Sequence, residues 1–247
     1  MKPKYLLILP LLLLIFSCEQ EKPVSVLIAG DSTAQSYDTT QTLMRGWAQM
    51  LPLFLDSTIT VKNHAKAGRS TKTFIEEERW AKLIEETEPG DYVIIQFGHN
   101  DASTRPERHA SHDQYRQNLV NMINDVKAKQ ANPILATSIV MRTFQGRALV
   151  DDRLLAYPVI TRQVADSLNL PLLDIYSRSR DMIIMLGDEP SKELYMWIGP
   201  GLDKKRPDGS EDDTHLQEAG ATAVAELAAK EIKKLNLKNL SSHVVLP

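Results

Sequence analysis

The chain has 247 residues, with 29 basic and 32 acidic side chains and a net charge of −3. That balance argues against nucleic acid as the main partner, although a local cationic patch can still meet an acidic substrate. Cys18 is the single cysteine, which excludes an intramolecular disulfide and a thiolate zinc cluster.

Residues 1–17 read as an export signal. Lys2 and Lys4 form a positive end, Tyr5–Phe16 is an apolar run too short to span a bilayer comfortably, and Ser17-Cys18 follows. Ile15-Phe16-Ser17-Cys18 is similar to a bacterial lipobox, in which cleavage precedes the cysteine and its thiol is lipidated; Phe16 is bulkier than the residue usual there. The expectation is an exported lipoprotein, facing the periplasm or the cell surface, held to the membrane through a lipid on Cys18 with residues 18–23 as a tether. Ordinary secretion with cleavage nearby is the alternative. The rest suits one domain, 24–240, followed by a loose tail at 241–247.

Val24–Ala29 is apolar with one exception and reads as a buried strand of a parallel sheet. It runs into Gly30-Asp31-Ser32-Thr33. Ligands of open α/β sheets sit outside the carboxyl ends of the strands, so Ser32 stands where chemistry is done; a capping serine in a strand-to-helix turn is the other reading. Leu43–Leu55 has helical spacing. Ile59–Asn63 is a short strand leading to His64–Ser70, and Phe74–Glu86 is a helix stopped by Pro89-Gly90. Asp91–Phe97 is a strand that empties into Gly98-His99-Asn100-Asp101. His112–Gln130 is an amphipathic helix, Pro133–Ile139 a strand, Leu154–Leu168 a helix, Leu170–Leu173 a short strand and Arg180–Leu186 helical. Glu189–Ser210 reads as a long loop with one turn of helix, and Gln217–Leu235 as the closing helix. This alternation predicts an α/β fold, whose right-handed crossovers bring all strand C-termini to one edge. Ser32, Gly68, Gly98 and Asn100 each follow a strand and converge there.

A serine hydroxyl needs a base to take its proton and a third group to orient that base. His215 in Asp212-Asp213-Thr214-His215 is the candidate base. Asp212, three residues earlier, can fold back around a turn to accept the proton of the far ring nitrogen; Asp213 competes for that place. Gly68 can bring a backbone N–H close to a ligand, Asn100 offers an amide, and Ser32 adds its own N–H, the donors an oxyanion requires. Each also has a plain reading: a turn glycine, an Asx turn, a histidine at a helix start. His109 and His112 lack a carboxylate to complete a metal set. Asp208, Glu211, Asp212 and Asp213 lack the spacing of an EF-hand. His99 lines the pocket or packs beneath it. Arg69 and Lys204-Lys205-Arg206 flank the pocket and suit substrate carboxylates.

Four blocks, Gly30-Asp31-Ser32, Gly68, Gly98-His99-Asn100-Asp101 and Asp212-Asp213-Thr214-His215, resemble in order those of the SGNH, or GDSL-type, hydrolases. The Gly-x-Ser-x-Gly elbow of other α/β hydrolases is absent. Within that family, Ala29–Thr33, Asn63-His64-Ala65 with Gly68-Arg69-Ser70, Gln96–Asp101 and Asp212-x-Thr214-His215 look like the rhamnogalacturonan acetylesterases, over about residues 24–235. The resemblance implies a flavodoxin-like three-layer α/β sandwich with five parallel strands. It implies Ser32 as nucleophile, His215 as base, Asp212 as orienter, and Ser32, Gly68 and Asn100 as oxyanion donors, with no metal and no cofactor. The activity it implies is removal of acetyl groups from plant cell-wall polysaccharide, rhamnogalacturonan or pectin, through an acetyl-enzyme on Ser32. A monomer is expected. An esterase for acetylated xylan, another glycan or a lipid, and a non-catalytic glycan-binding lipoprotein, are the alternatives.

Overall fold

Val26, Leu27, Ile28 and Ala29 are completely buried, and so are Val93, Ile94 and Ile95. Runs of this kind are stable as strands only where both faces of a sheet are covered. The computed structural model, which describes residues 24–150 and 153–247, has that arrangement. Strands β1 (Ser25–Gly30), β2 (Thr60–Asn63), β3 (Tyr92–Gln96), β4 (Asn132–Ala136) and β5 (Leu172–Leu173) form one parallel sheet in the order 2-1-3-4-5. The helices are α1 (Thr71–Glu76), α2 (Arg79–Glu86), α3 (His112–Ala128), α4 (Ala156–Ser167), α5 (Ile175–Leu186) and α6 (Glu218–Lys234). α3 and α4 pack on β4 and on each other, α2 on β1, and α6 on β5 and α5. The strand order reverses at β1, which has β2 on one side and β3 on the other, so the crevice beyond its C-terminus is the topological switch point. The predicted export signal, Cys18 and the tether lie outside the described residues.

The five strands and the longer helices match the sequence expectation to within a few residues, and the departures have local causes. The helix expected over Leu43–Leu55 is only Trp47–Met50, continued as a 3-10 turn at Leu51–Phe54. The preceding residues are extended: Arg45 N donates to Leu216 O at 3.0 Å, and Gly46 lies so close to the Gln35 backbone that a Cβ would fall 2.3 Å from its oxygen. The helix expected over Phe74–Glu86 is two. Ser70 caps α1 through a reciprocal pair of bonds with Thr73, and the chain breaks at Glu78, whose φ of 58° is left-handed. α5 starts at Ile175, five residues before the predicted Arg180, because the Asp174 side chain caps it through Ser177 N.

Two expectations are overturned. The Glu189–Ser210 loop contains helical turns and a strand, β6 (Tyr195–Ile198), which pairs antiparallel with β7 (Ser210–Leu216). The 241–247 tail is docked. Leu240 and Val244 are buried, Val245 N donates to Phe54 O at 3.0 Å, and the His243 ring meets Asp56 at 2.8 Å. Apolar side chains at the end of the chain join the main core and carry the backbone with them.

Candidate active site

The site begins with the turn after β1. Asp31 is fully buried, and its Oδ1 accepts from the Thr33 amide at 2.9 Å and the Thr33 hydroxyl at 2.8 Å. The Thr33 hydroxyl and the Trp47 indole N–H both reach Gln96 Oε1, which ties the turn to the end of β3. Tyr37 Oη donates to Ser32 O at 2.8 Å. No helix starts here, since the next begins at Trp47, so Ser32 is not a helix cap.

The other half of the site comes from β7. In the β6–β7 ladder Tyr195 faces Leu216 and Met196 faces Asp212, so Asp213, Thr214 and His215 are pushed out as a bulge. Asp212 Oδ1 closes that bulge by accepting from the Thr214 and His215 amides at 2.8 and 3.0 Å. Its Oδ2 takes His215 Nδ1 at 2.7 Å, and His215 Nε2 lies 2.9 Å from Ser32 Oγ. A carboxylate on Nδ1 fixes the proton there and leaves Nε2 as the acceptor facing the hydroxyl. Burial works to raise the Asp212 carboxyl, but the His215 ring and the two backbone amides more than offset it and hold the group at about 2. Asp212 is therefore an anion throughout the neutral range.

Asp213 does not compete for His215. Its Oδ1 accepts from Arg142 Nε and Trp197 Nε1, each at 2.8 Å. Arg142, whose side chain is 4 % exposed, also gives its backbone N–H to Asp213 O at 2.8 Å, binds the Asp188 carboxylate and stacks 4.8 Å over the Trp197 ring. It grips the bulge from behind. Nothing in the sequence marks this lone arginine after β4, because its role is set by tertiary contacts. Arg142→Gln is expected to lower kcat about 10- to 100-fold with KM within about twofold, because the bulge shifts while the cleft stays open. The carboxylates left behind, Asp188 and Asp213, are partly solvated, so loss of the guanidinium's hydrogen bonds should cost about 1–3 kcal/mol of stability; steady-state kinetics and urea unfolding of the variant test both.

Gly68 and Asn100 close the third side. Gly68 has φ +79°, a conformation glycine adopts freely, and a Cβ there would sit 3.4 Å from the Arg108 guanidinium carbon. The preceding Ala67 N–H is bonded to Gln35 Oε1 and the Lys66 N–H to Gly30 O, so this loop is tied to the serine turn. Asn100 Nδ2 donates to Arg69 O at 3.1 Å and keeps a second hydrogen for a ligand. Beneath it Asp101 is completely buried, with Oδ1 accepting from the Thr71 amide and hydroxyl. Burial pushes the Asp101 carboxyl up to about 7 against the pull of those two bonds, and the nearby Asp31 adds to the rise.

Ser32, Gly68, His99, Asn100 and His215 thus line one cleft of about 450 Å³, with Asp212 behind the histidine. The basic residues expected beside it are a correction. Arg69 is committed to Glu77 and Ala67 O, Lys204 to Thr40 O, and the Lys204-Lys205-Arg206 run does not line the cleft. The arginines that do are Arg105, Arg108 and Arg153. His109 bonds to the Asp101 carbonyl, and His112 packs edge-on against Tyr157.

The profile of the GDSL-like lipase/acylhydrolase family matches residues 28–223. The chain is 35% identical over 225 residues to the rhamnogalacturonan acetylesterase RhgT of Bacillus subtilis, covering 91% of this chain and 96% of that one. It is 35% identical over 214 residues to a probable rhamnogalacturonan acetylesterase, YesY, of the same bacterium, covering 86% and 94%. The crystal structure of protein YxiM from Bacillus subtilis superposes with a TM-score of 0.76 at 28% identity, over 89% of this chain and 58% of that longer one. The serine turn, directly after the first strand of the five-stranded parallel sheet, falls near the start of the matched region and the aspartate–histidine bulge near its end, with the other four strands between them: this chain belongs to the GDSL-like lipase/acylhydrolase family.

Proposed function

We propose that the protein is a serine acetylesterase acting on acetylated polysaccharide of the rhamnogalacturonan type. The observation that carries this reading is the unbroken hydrogen-bonded line from Ser32 Oγ through His215 to Asp212. The relatives named for rhamnogalacturonan deacetylation, similar over most of their length, support the substrate class.

In this mechanism Ser32 Oγ attacks the acetyl carbonyl carbon as its proton passes to His215 Nε2. Asp212 holds the ring and stabilises the imidazolium. The electron pair displaced onto the carbonyl oxygen meets the N–H groups of Ser32 and Gly68 and the Asn100 amide. Such donors are worth more at this stage than in the ground state, about 2.7–4 kcal/mol for one donor in a measured protease case. The bond to the sugar oxygen then breaks, and His215 returns its proton to that oxygen. Acetyl stays on Ser32 until a water, giving its proton to His215 Nε2, attacks it; the Oγ–acetyl bond breaks, acetate leaves, and the proton on His215 passes back to Ser32 Oγ.

The cleft supports a short acyl group. Apart from Ala67 and Gly68, its lining is polar or charged, so a long acyl chain finds no apolar groove there. Export by the signal at residues 1–17 and anchoring through Cys18 would place the enzyme where such polymers are met. The test is acetate release from acetylated rhamnogalacturonan and acetylated xylan, alongside hydrolysis of acetyl and palmitoyl nitrophenyl esters. Acetate from rhamnogalacturonan at the highest kcat/KM is expected. Preference for xylan would overturn the polymer assignment, and preference for palmitoyl esters the acetyl assignment.

A further inference from the structure

Ala67, Gly68 and Asn100 line the cleft, whereas Arg69 does not. Its guanidinium turns back along its own loop instead. Nη1 donates to Ala67 O at 2.8 Å and Nε to Glu77 Oε2 at 2.9 Å. Ser70 caps the start of α1 and Glu77 stands just past its end, so this ion pair spans the whole helix. Arg79 Nε meets the same Glu77 oxygen at 2.8 Å and holds the carboxylate in place.

The Ala67 carbonyl and the Gly68 N–H belong to one planar trans peptide unit and point in opposite directions, so whatever fixes the carbonyl aims the N–H. The units on either side are held by other bonds: Ala67 N donates to Gln35 Oε1 at 2.5 Å and Arg69 N to Lys66 O at 3.3 Å. Among the described residues the Gly68 N–H itself donates to no protein group, so the guanidinium on Ala67 O is the direct hold on this unit. A glycine at φ +79° resists rotation of that plane less than other residues do. The contact is also charge-assisted and draws electron density from the amide, which makes its N–H the stronger donor. Arg69 holds Asn100 as well, whose Nδ2 donates to Arg69 O at 3.1 Å. One residue thus orients two donors, one through its side chain and one through its backbone.

We propose that Arg69 is the positioning residue of the oxyanion site: its guanidinium, clamped by Glu77, aims and polarises the Gly68 N–H, and its carbonyl orients the Asn100 amide. The proposal rests on the serine acetylesterase reading above and adds the residue on which its charge stabilisation depends. A group that acts on the developing oxyanion rather than on the bound ester shows in kcat and leaves KM alone.

The test measures nitrophenyl acetate hydrolysis by Arg69→Met, Arg69→Lys and Glu77→Gln, together with inhibition by methylboronic acid, which forms a tetrahedral adduct on a reactive serine and so fills the oxyanion position. Arg69→Met keeps the apolar stem and should lower kcat about 10- to 100-fold with KM within about twofold, no more than outright deletion of a donor does. The boronate Ki should rise by the factor by which kcat/KM falls. Arg69→Lys, still a cation within reach of Ala67 O, should recover part of kcat. Glu77→Gln loosens the clamp and should show the same split at about two- to fivefold; it leaves the loop its arginine and decides the case in which Arg69→Met does not fold. A kcat for Arg69→Met within about twofold of wild type would overturn the proposal and leave the esterase standing. So would a raised KM with kcat unchanged, which would make Arg69 a substrate contact, or a fall in kcat with boronate affinity intact, which would put the defect outside the oxyanion donors. A wild type that cleaves no ester would remove the acetylesterase reading and the proposal with it.

Discussion

Ser32→Ala is expected to lower kcat for acetate release by about 10⁴- to 10⁶-fold, the range over which loss of a serine nucleophile removes covalent catalysis while the oxyanion donors persist. Among the described residues the Ser32 hydroxyl has one hydrogen-bond partner, His215 Nε2, and the histidine side chain is 26 % exposed. Deleting Oγ therefore leaves no buried group without water, and the thermal midpoint should stay within about 2 °C. A fluorophosphonate that labels wild type should leave the variant unlabelled. Equal labelling, or a loss of kcat below about a hundredfold, would take Ser32 out of the chemistry, the latter because it falls short of even the mildest triad deletions. Failure of the fluorophosphonate to label wild type would favour the non-catalytic glycan-binding reading.

The second large effect is that of Asp212→Asn. The amide oxygen can still accept from the Thr214 and His215 backbone, so the bulge keeps its shape. The amide nitrogen would instead donate to His215 Nδ1, which moves the ring proton to Nε2, where it faces Ser32 as a second donor. The base is then occupied before the reaction begins, and kcat should fall by about 10⁴-fold with KM little changed. Stability carries a separate signature. The Asp212 carboxyl is held at about 2, below its ordinary 3.8, so it stabilises the folded chain above about pH 3.8 and loses that contribution as pH falls through 2. The contribution amounts to roughly 2 kcal/mol. Urea unfolding of wild type and variant between about pH 2 and 5 should therefore show the two stabilities converging towards acid. A constant difference across that window would mean that the carboxylate is not held by its histidine in the way the distances indicate.

What could be read from the sequence was what burial writes into it. β1 and β3 are continuous apolar runs because both faces of the sheet are covered, and α3 and α6 carry a core-facing stripe. Ser32, Gly68 and Asn100 are legible as short blocks following strands, and His215 as one just before the closing helix. The β6–β7 hairpin was not. Ser210-Glu211-Asp212-Asp213-Thr214 has no apolar alternation, and its pairing rests on backbone bonds that any side chains permit. The distance from Asp212 to His215 was foreseen, but the bulge that shapes it was not. Arginine presented the same difficulty in two forms. Arg69 reads as available and is bound to Glu77, while Arg105 and Arg108, which belong to no motif, lie in the cleft. Which cation is free is decided by the carboxylates that surround it, and those come from distant parts of the chain.

Ser32 and His215 are separated by 183 positions, and under the mechanism proposed above that span makes esterase turnover a clock for assembly. A nascent chain that has emerged through β5 already holds every parallel strand, yet it has no proton acceptor for its serine and no reactivity towards esters. Hydrolysis starts only when the β6–β7 hairpin settles against the switch point, so recovery of acetate release after denaturation reports docking of that hairpin rather than formation of the sheet alone.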